Sequence, residues 1–202
     1  MTFDPAYPGS RDPVGLFADT VKGWGRRGDV WVFGYASLIW RPEFEAAEQR
    51  VATVHGWHRA LQMRSRVNRG TPACPGLVFA LVPGGSCRGM VYRIREEDAE
   101  AQLEQLWARE MPTGVYDPRW LNGRTAQGNV KALAFTLSRS SPSHTGPVPD
   151  AQMVDILRSA NGRYGSTLAY LVETEACLRG CGIRDRDIER LVALARRHDL
   201  TA

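Results

Sequence analysis

The chain has 202 residues, 43% hydrophobic and 24% charged, with a formal charge of +4 and an isoelectric point near 9.1. That size and balance fit one well-filled globular core. No apolar run approaches the roughly 18 residues of a membrane helix, and so mild a basicity fits an acidic small substrate at least as well as nucleic acid. No zinc-finger spacing or RNA-recognition aromatic motif supports nucleic acid. The first residues lack the basic start and apolar run of a signal peptide. The expectation is a cytoplasmic protein with a small-molecule partner, no nucleic acid and no membrane.

Residues 1–11, with Pro5, Pro8 and Gly9, read as a loose arm. Asp12 and Pro13 suit an N-cap and first helical turn. Val14, Phe17, Val21 and Trp24 then share one helical face. Residues 30–33 (VWVF) read as a short strand buried on both faces, ended by Gly34. Tyr35, Ala36 and Ser37 form a tight loop, and Leu38, Ile39 and Trp40 return to apolar before Pro42. A polar turn between two apolar runs can aim several backbone N–H groups at one spot, which suits an anion or an oxyanion. An ordinary turn after a buried strand has the same pattern.

Residues 50–55 and 57–65 predict two strands with a bend at Gly56, and alternation places Arg64 and Arg66 on one face. A loop follows over 67–75. Residues 76–82 and 87–94, separated by the PGGS of 83–86, predict a β-hairpin. The spacing of Ala99, Leu103, Leu106 and Trp107 predicts a helix over 96–109, which Pro112 stops beside Glu110. Residues 116–122 are mixed and 129–137 form a strong strand. Residues 138–150, rich in Ser, Pro and Gly, read as a surface loop. Helices are expected over 151–160, 167–178 and 185–198, the last N-capped by Asp185. The fold class is α+β: a mainly antiparallel, barrel-like sheet and a helical C-terminal third. Residues 1–29 form an arm and helix, and 30–202 one domain.

Cys74, Cys87, Cys177 and Cys181 contain no CxxC pair and read as reduced. His55 and His58 form HxxH with no third ligand near in sequence. No metal and no cofactor are expected. No GxSxG, phosphate-binding loop, dinucleotide fingerprint or HExxH occurs. Three polar features remain: the Tyr35–Ala36–Ser37 loop, the basic stretch Arg64, Arg66 and Arg69, and Glu110. A Glu near apolar neighbours can have a raised pKa and act as a general acid or base. Most such residues are solvated surface charges, as are most arginines along a strand. Ser37 has no nearby His partner, which leaves a Ser nucleophile unsupported.

The order of VFGYASLIW, the GWHRALQMRSRVNRGTPACPGLVFALVPGGSCRGMVYRI stretch, WAREMPTGVY and NGRYGSTLAYL, with Gly182, Ile183 and Asp185 following, resembles the ChaC-like γ-glutamylcyclotransferases from about residue 30 to 194. The resemblance implies a γ-glutamylcyclotransferase-like fold. The family's YGSL loop, which holds the γ-glutamyl group, matches Tyr35, Ala36, Ser37 and Leu38. Ala36 stands where Gly is usual, and Ala disfavours positive φ. The family's catalytic glutamate matches Glu110. Its RGTP-type loop matches Arg69, Gly70, Thr71 and Pro72, with Asn68 where His is common, and its GxxG…Y segment matches Gly162, Gly165 and Tyr170. Arg69, Tyr116 and Tyr170 join the loop as implied substrate-binding residues.

The implied reaction is glutathione degradation. The γ-glutamyl amine attacks its own γ-carbonyl, releasing 5-oxoproline and cysteinylglycine. Three alternatives stand beside it: cyclisation of other γ-glutamyl amines or amino acids, a non-catalytic γ-glutamyl-peptide-binding regulator of cation transport, and a basic RNA-binding module.

Overall fold

The structure, a computed structural model, describes residues 11–201. The arm expected over 1–11 lies, up to residue 10, outside the described residues. The chain divides into two compact units. The first combines the described residues up to His58 with Leu81–Pro142, and the second combines Arg59–Ala80 with the described residues from Ser143 onward.

The first unit begins with α1, Pro13–Trp24, capped as expected by Asp12, whose carboxylate accepts from the N–H groups of Val14 and Gly15. The buried stripe is Pro13, Thr20 and Val21, with Phe17 and Trp24 half-buried. Val14 points outward, 67% exposed, so the apolar face is turned slightly from the one the sequence suggested. Five strands form a closed barrel in the order β1-β3-β2-β4-β5, with an additional β3–β5 pairing: β1 Val30–Gly34, β2 Glu48–Ser65, β3 Gly76–Ile94, β4 Asp117–Thr125 and β5 Gly128–Thr136. β1 runs antiparallel to β3, with Val30 opposite Ile94, and parallel to β5, with Val32 opposite Leu133. β4 and β5 make a tight hairpin from Asp117↔Thr136 to Thr125↔Gly128. Ala132 to Thr136 are all buried, which marks a strand covered on both faces rather than an alternating one. Closure removes the exposed sheet edges that invite aggregation.

Two expected breaks are continuous strand. β2 passes through Gly56, which lies at φ +80°. Before it Ala52 and Val54 are buried; after it Arg59, Leu61 and Ser65 are. The buried parity shifts by one residue, as an extra residue in a bulge requires. β3 likewise runs through 83–86, so the predicted hairpin is not formed. Gly84 and Gly85 take positive φ there without reversing the chain. His58 Nδ1 lies 2.8 Å from the Gly84 carbonyl, and Arg139 donates to the Pro83 carbonyl at 2.8 Å.

The barrel unit also holds α2, Ser37–Trp40, and α3, Glu96–Glu110. α3 carries three carboxylates in its first turn and Arg109 in its last, each placed where the helix dipole favours it. Ala99, Leu103, Leu106 and Trp107 are its buried face, as the spacing predicts.

In the second unit α4 (Asp150–Ser159), α5 (Thr167–Gly180) and α6 (Arg186–Arg197) follow the expected order, with a short hairpin, β6 Asn161–Gly162 and β7 Gly165–Ser166, between α4 and α5. Part of the Ser/Pro/Gly loop lies along β2: Arg64 N–H donates to the Ser143 carbonyl, Thr145 N–H to that of Gln62. Three glycines permit backbone contact. A Cβ on Gly70 would sit 2.0 Å from Gly76 N, one on Gly76 2.0 Å from the Arg69 carbonyl, and one on Gly162 2.5 Å from Gly70 N. No helix among the described residues is long and apolar enough to cross a membrane.

Arg59, with its side chain 1% exposed, donates from Nε and Nη2 to Asp185 Oδ2 at 3.1 and 2.9 Å. Asp185 Oδ1 accepts from the N–H groups of Asp187 and Ile188, capping α6. Removing one partner of a buried ion pair costs about 3–5 kcal/mol, and loss of a cap adds about 1 kcal/mol. Asp185→Ala is therefore expected to destabilise the protein by at least about 3 kcal/mol in urea unfolding. A cost under about 1 kcal/mol would mean that the pair behaves as an exposed surface bridge.

Candidate active site

β1 delivers the chain to Gly34, and the next four residues turn it into the barrel wall. Tyr35 is buried, and its hydroxyl donates to the Phe135 carbonyl at 3.0 Å. Ala36 lies at φ −148°, outside the left-handed region, so alanine here carries no positive-φ penalty. Ser37 to Trp40 form a single helical turn where the sequence suggested only a return to apolar residues. The Ala36 and Ser37 carbonyls accept from Ile39 and Arg41 N–H. Leu38 is buried and anchors the turn. The amides of Ser37 and Leu38 open this turn, where backbone N–H groups have no acceptor four residues earlier within the helix.

Glu110 is the last residue of α3, between half-buried Arg109 and fully buried Met111. Its side chain is 14% exposed. Arg109 Nε lies 3.0 Å from Glu110 Oε1, and Nη2 donates to Ser37 Oγ at 3.3 Å. Nη1 donates to the Arg41 carbonyl and lies 3.3 Å from Glu43 Oε2. One guanidinium therefore joins the loop after β1, the end of α3 and the turn after α2. Glu43, paired also with Arg41, holds φ +56°, a conformation unusual for a side chain of this kind.

Burial is the main influence on Glu110 and pushes its pKa above the usual carboxylate range. The Arg109 charge and its hydrogen bond pull the other way, and the Glu43 charge adds to the rise. Such a carboxyl can hold a proton closer to neutrality and release it to a basic atom, which an exposed glutamate does poorly.

Tyr116 is buried, with its ring 6.2 Å from that of Phe135. It thus meets the same residue that accepts from Tyr35. The first unit accordingly brings Tyr35, Ala36, Ser37, Leu38, Tyr116 and Glu110 into one linked cluster. Arg69 and Tyr170 belong to the second unit. There the Arg69 guanidinium lies over the Tyr170 ring at 5.0 Å and donates to the Tyr164 carbonyl. Thr167 Oγ1 donates to the Arg69 carbonyl and accepts from Leu77 N–H, both at 3.1 Å. The Tyr170 hydroxyl accepts from Phe79 N–H at 3.3 Å. The matched RGTP and GxxG…Y segments are thus one knot of backbone and side-chain contacts.

Arg109 and Glu43 were not among the residues singled out in the sequence. Arg109 adjoins Glu110, and neighbours in a helix ordinarily diverge; its position at the helix end lets both side chains reach one place. Nothing in the RPEF stretch signals that Glu43 adopts positive φ.

The ChaC-like protein family matches residues 30–198. The glutathione-specific γ-glutamylcyclotransferase of Escherichia coli (strain K12) is 36% identical over 170 residues, covering 82% of this chain and 72% of that protein. Glutathione-specific γ-glutamylcyclotransferase 1 of Mus musculus is 30% identical, covering 93% of this chain and 86% of its own length. The crystal structure of the glutathione-specific γ-glutamylcyclotransferase from yeast superposes with a TM-score of 0.76 at 21% identity, over 85% of this chain and 97% of that one.

Proposed function

The chain belongs to the ChaC-like protein family, and on that premise we propose that it degrades glutathione, with Glu110 moving the proton. Its relatives carry the name of glutathione-specific γ-glutamylcyclotransferase, and an enzyme of that type needs neither a protein nucleophile nor a bound electrophile. The substrate's α-amine attacks its γ-carbonyl carbon, a five-membered lactam forms, and the amide bond to cysteine breaks. Holding the chain folded for that attack can supply about 7–11 kcal/mol of the barrier.

The proton balance calls for one group. Glu110 takes a proton from the α-ammonium and returns one to the departing cysteine nitrogen. The oxygen that becomes negative in between needs fixed donors. We assign the Ser37 and Leu38 amides to that oxygen or to the substrate's α-carboxylate. The observation that carries the reading is a buried Glu110 carboxyl tied through Arg109 to the loop that presents those amides. Tyr35 and Tyr116 shape the apolar wall. The reading places the enzyme in the cytoplasm, where its substrate is a free small molecule.

Mass spectrometry of the purified protein with glutathione is expected to find 5-oxoproline and cysteinylglycine in equal amounts. Glu110→Gln is expected to lose about 10²–10⁴-fold in kcat while remaining folded. Parent-rate turnover by folded Glu110→Gln would overturn the assignment.

Arg69 and Tyr170 are assigned to substrate binding on the resemblance. Arg69 is held by Tyr164 and Tyr170, and a pre-set guanidinium fork loses little freedom on meeting a carboxylate. Its proposed partner is the glycine carboxylate of glutathione. Arg69→Ala is expected to lower kcat/KM for glutathione more than for γ-glutamylcysteine, which lacks that group, by a margin of about 1.5–3 kcal/mol. Equal losses would assign Arg69 to bracing its loop.

A further inference from the structure

We propose that residues 11–17, which precede the family match, are a positioning brace for the carboxyl group of Glu110, gripping the chain on both sides of it. The proposal rests on Glu110 being the proton-transfer group.

On the far side of Glu110 the chain turns through Met111 and Gly114 before β4 begins at Asp117. Arg11 captures that turn. Its backbone N–H donates to the Thr113 carbonyl at 2.9 Å and its Nε to the Gly114 carbonyl at 2.9 Å. Nη2 donates to the Tyr116 carbonyl, and Nη1 to Asp117 Oδ1 at 2.7 Å. Gly114 lies at φ +61°, and a Cβ there would be 2.6 Å from the Arg11 carbonyl oxygen. Only glycine lets the two backbones meet so closely. On the near side Trp107, one helical turn before Glu110, donates from Nε1 to the Pro13 carbonyl at 2.8 Å. The Phe17 ring meets the Trp107 ring edge-on at 5.3 Å.

The brace works through burial rather than charge. The charged groups facing Glu110 are Arg109 of its own helix and Glu43 of the turn after α2, the latter paired with Arg41. Arg11 is neutralised by Asp117. Without the Arg11 side chain, the Gly114 and Tyr116 carbonyls lose a donor and must find water. The turn behind Glu110 then loosens, and water reaches the carboxyl.

The test compares Arg11→Met, Gly114→Ala and Trp107→Phe with the parent, using Val14→Ala on the exposed face of α1 as a control. Two readouts are taken: the Glu110 pKa from carbon-13 NMR titration of its side-chain carboxyl, assigned by its absence in Glu110→Gln, and steady-state turnover of glutathione. The brace predicts that the pKa falls toward the ordinary carboxylate value in the three variants and that kcat falls about 10- to 100-fold, the scale of a slight misplacement, with KM little changed. Val14→Ala should match the parent. Folded Arg11→Met and Gly114→Ala with the parent's pKa and kcat would overturn the brace. Should those two fail to fold, Trp107→Phe, which keeps an aromatic ring while removing the indole N–H and part of the buried indole, decides by the same two readouts. A pKa that moves in a protein forming no 5-oxoproline would uphold the brace and overturn the proposed function instead.

Discussion

The site depends on one guanidinium. Arg109 touches Ser37, the Arg41 carbonyl, Glu43 and Glu110. Its two opposing effects bear on the proton transfer proposed for Glu110. It keeps a mostly buried carboxyl from being prohibitively hard to ionise, because an unpaired buried charge would simply take up a proton. It also fixes where that carboxyl sits relative to the loop amides. Glu43 tempers the first effect by offering Arg109 a second carboxylate, at the cost of a left-handed backbone. A bare Glu110 would be a permanent acid, and a tightly salt-bridged one a weak base. Burial, Arg109 and Glu43 together place it between those limits.

The rest of the first unit keeps that cluster in place. The closed barrel fixes the end of β1 and so the start of the Tyr35–Leu38 turn. The Tyr35 hydroxyl ties the turn to β5 at Phe135, and the rings of Trp107 and Tyr116 meet the same residue. Glu45 N–H donates to Gln102 Oε1 of α3 at 2.7 Å, so the segment after α2 is anchored on the helix that carries Glu110. In the second unit close backbone approach does the corresponding work. Gly70, Gly76 and Gly162 stand where any side chain would collide with main chain.

Much of this was legible in the sequence where one local rule dominates. Helix spacing identified α3 and its buried face, Asp12 and Asp185 were visible as caps, and the apolar run before Gly34 marked β1. The motif order pointed to the fold. What the sequence concealed were features in which a local signal has two structural outcomes. PGGS at 83–86 carries turn chemistry, but its glycines serve an irregularity inside β3. Gly56 bends β2 and shifts its parity without ending it. Val14 sits at a helical spacing that suits the core and yet faces outward. The contribution of Arg109 was hidden because it arises only when three separated segments meet, and that of Glu43 because its backbone conformation leaves no mark on composition.

The central claim is that Glu110 is a base whose strength is set by burial against Arg109 and Glu43. Its pKa is raised, so the active, ionised form is present only above that value and kcat/KM must fall as pH drops through it. The most direct measurement is the acidic limb of kcat/KM for glutathione in the parent, Glu43→Gln and Arg109→Gln. Removing the Glu43 charge takes away a repulsion and should move the limb to lower pH. Removing the Arg109 charge takes away an attraction and should move it to higher pH. An acidic limb that stays in place in both variants would contradict the account.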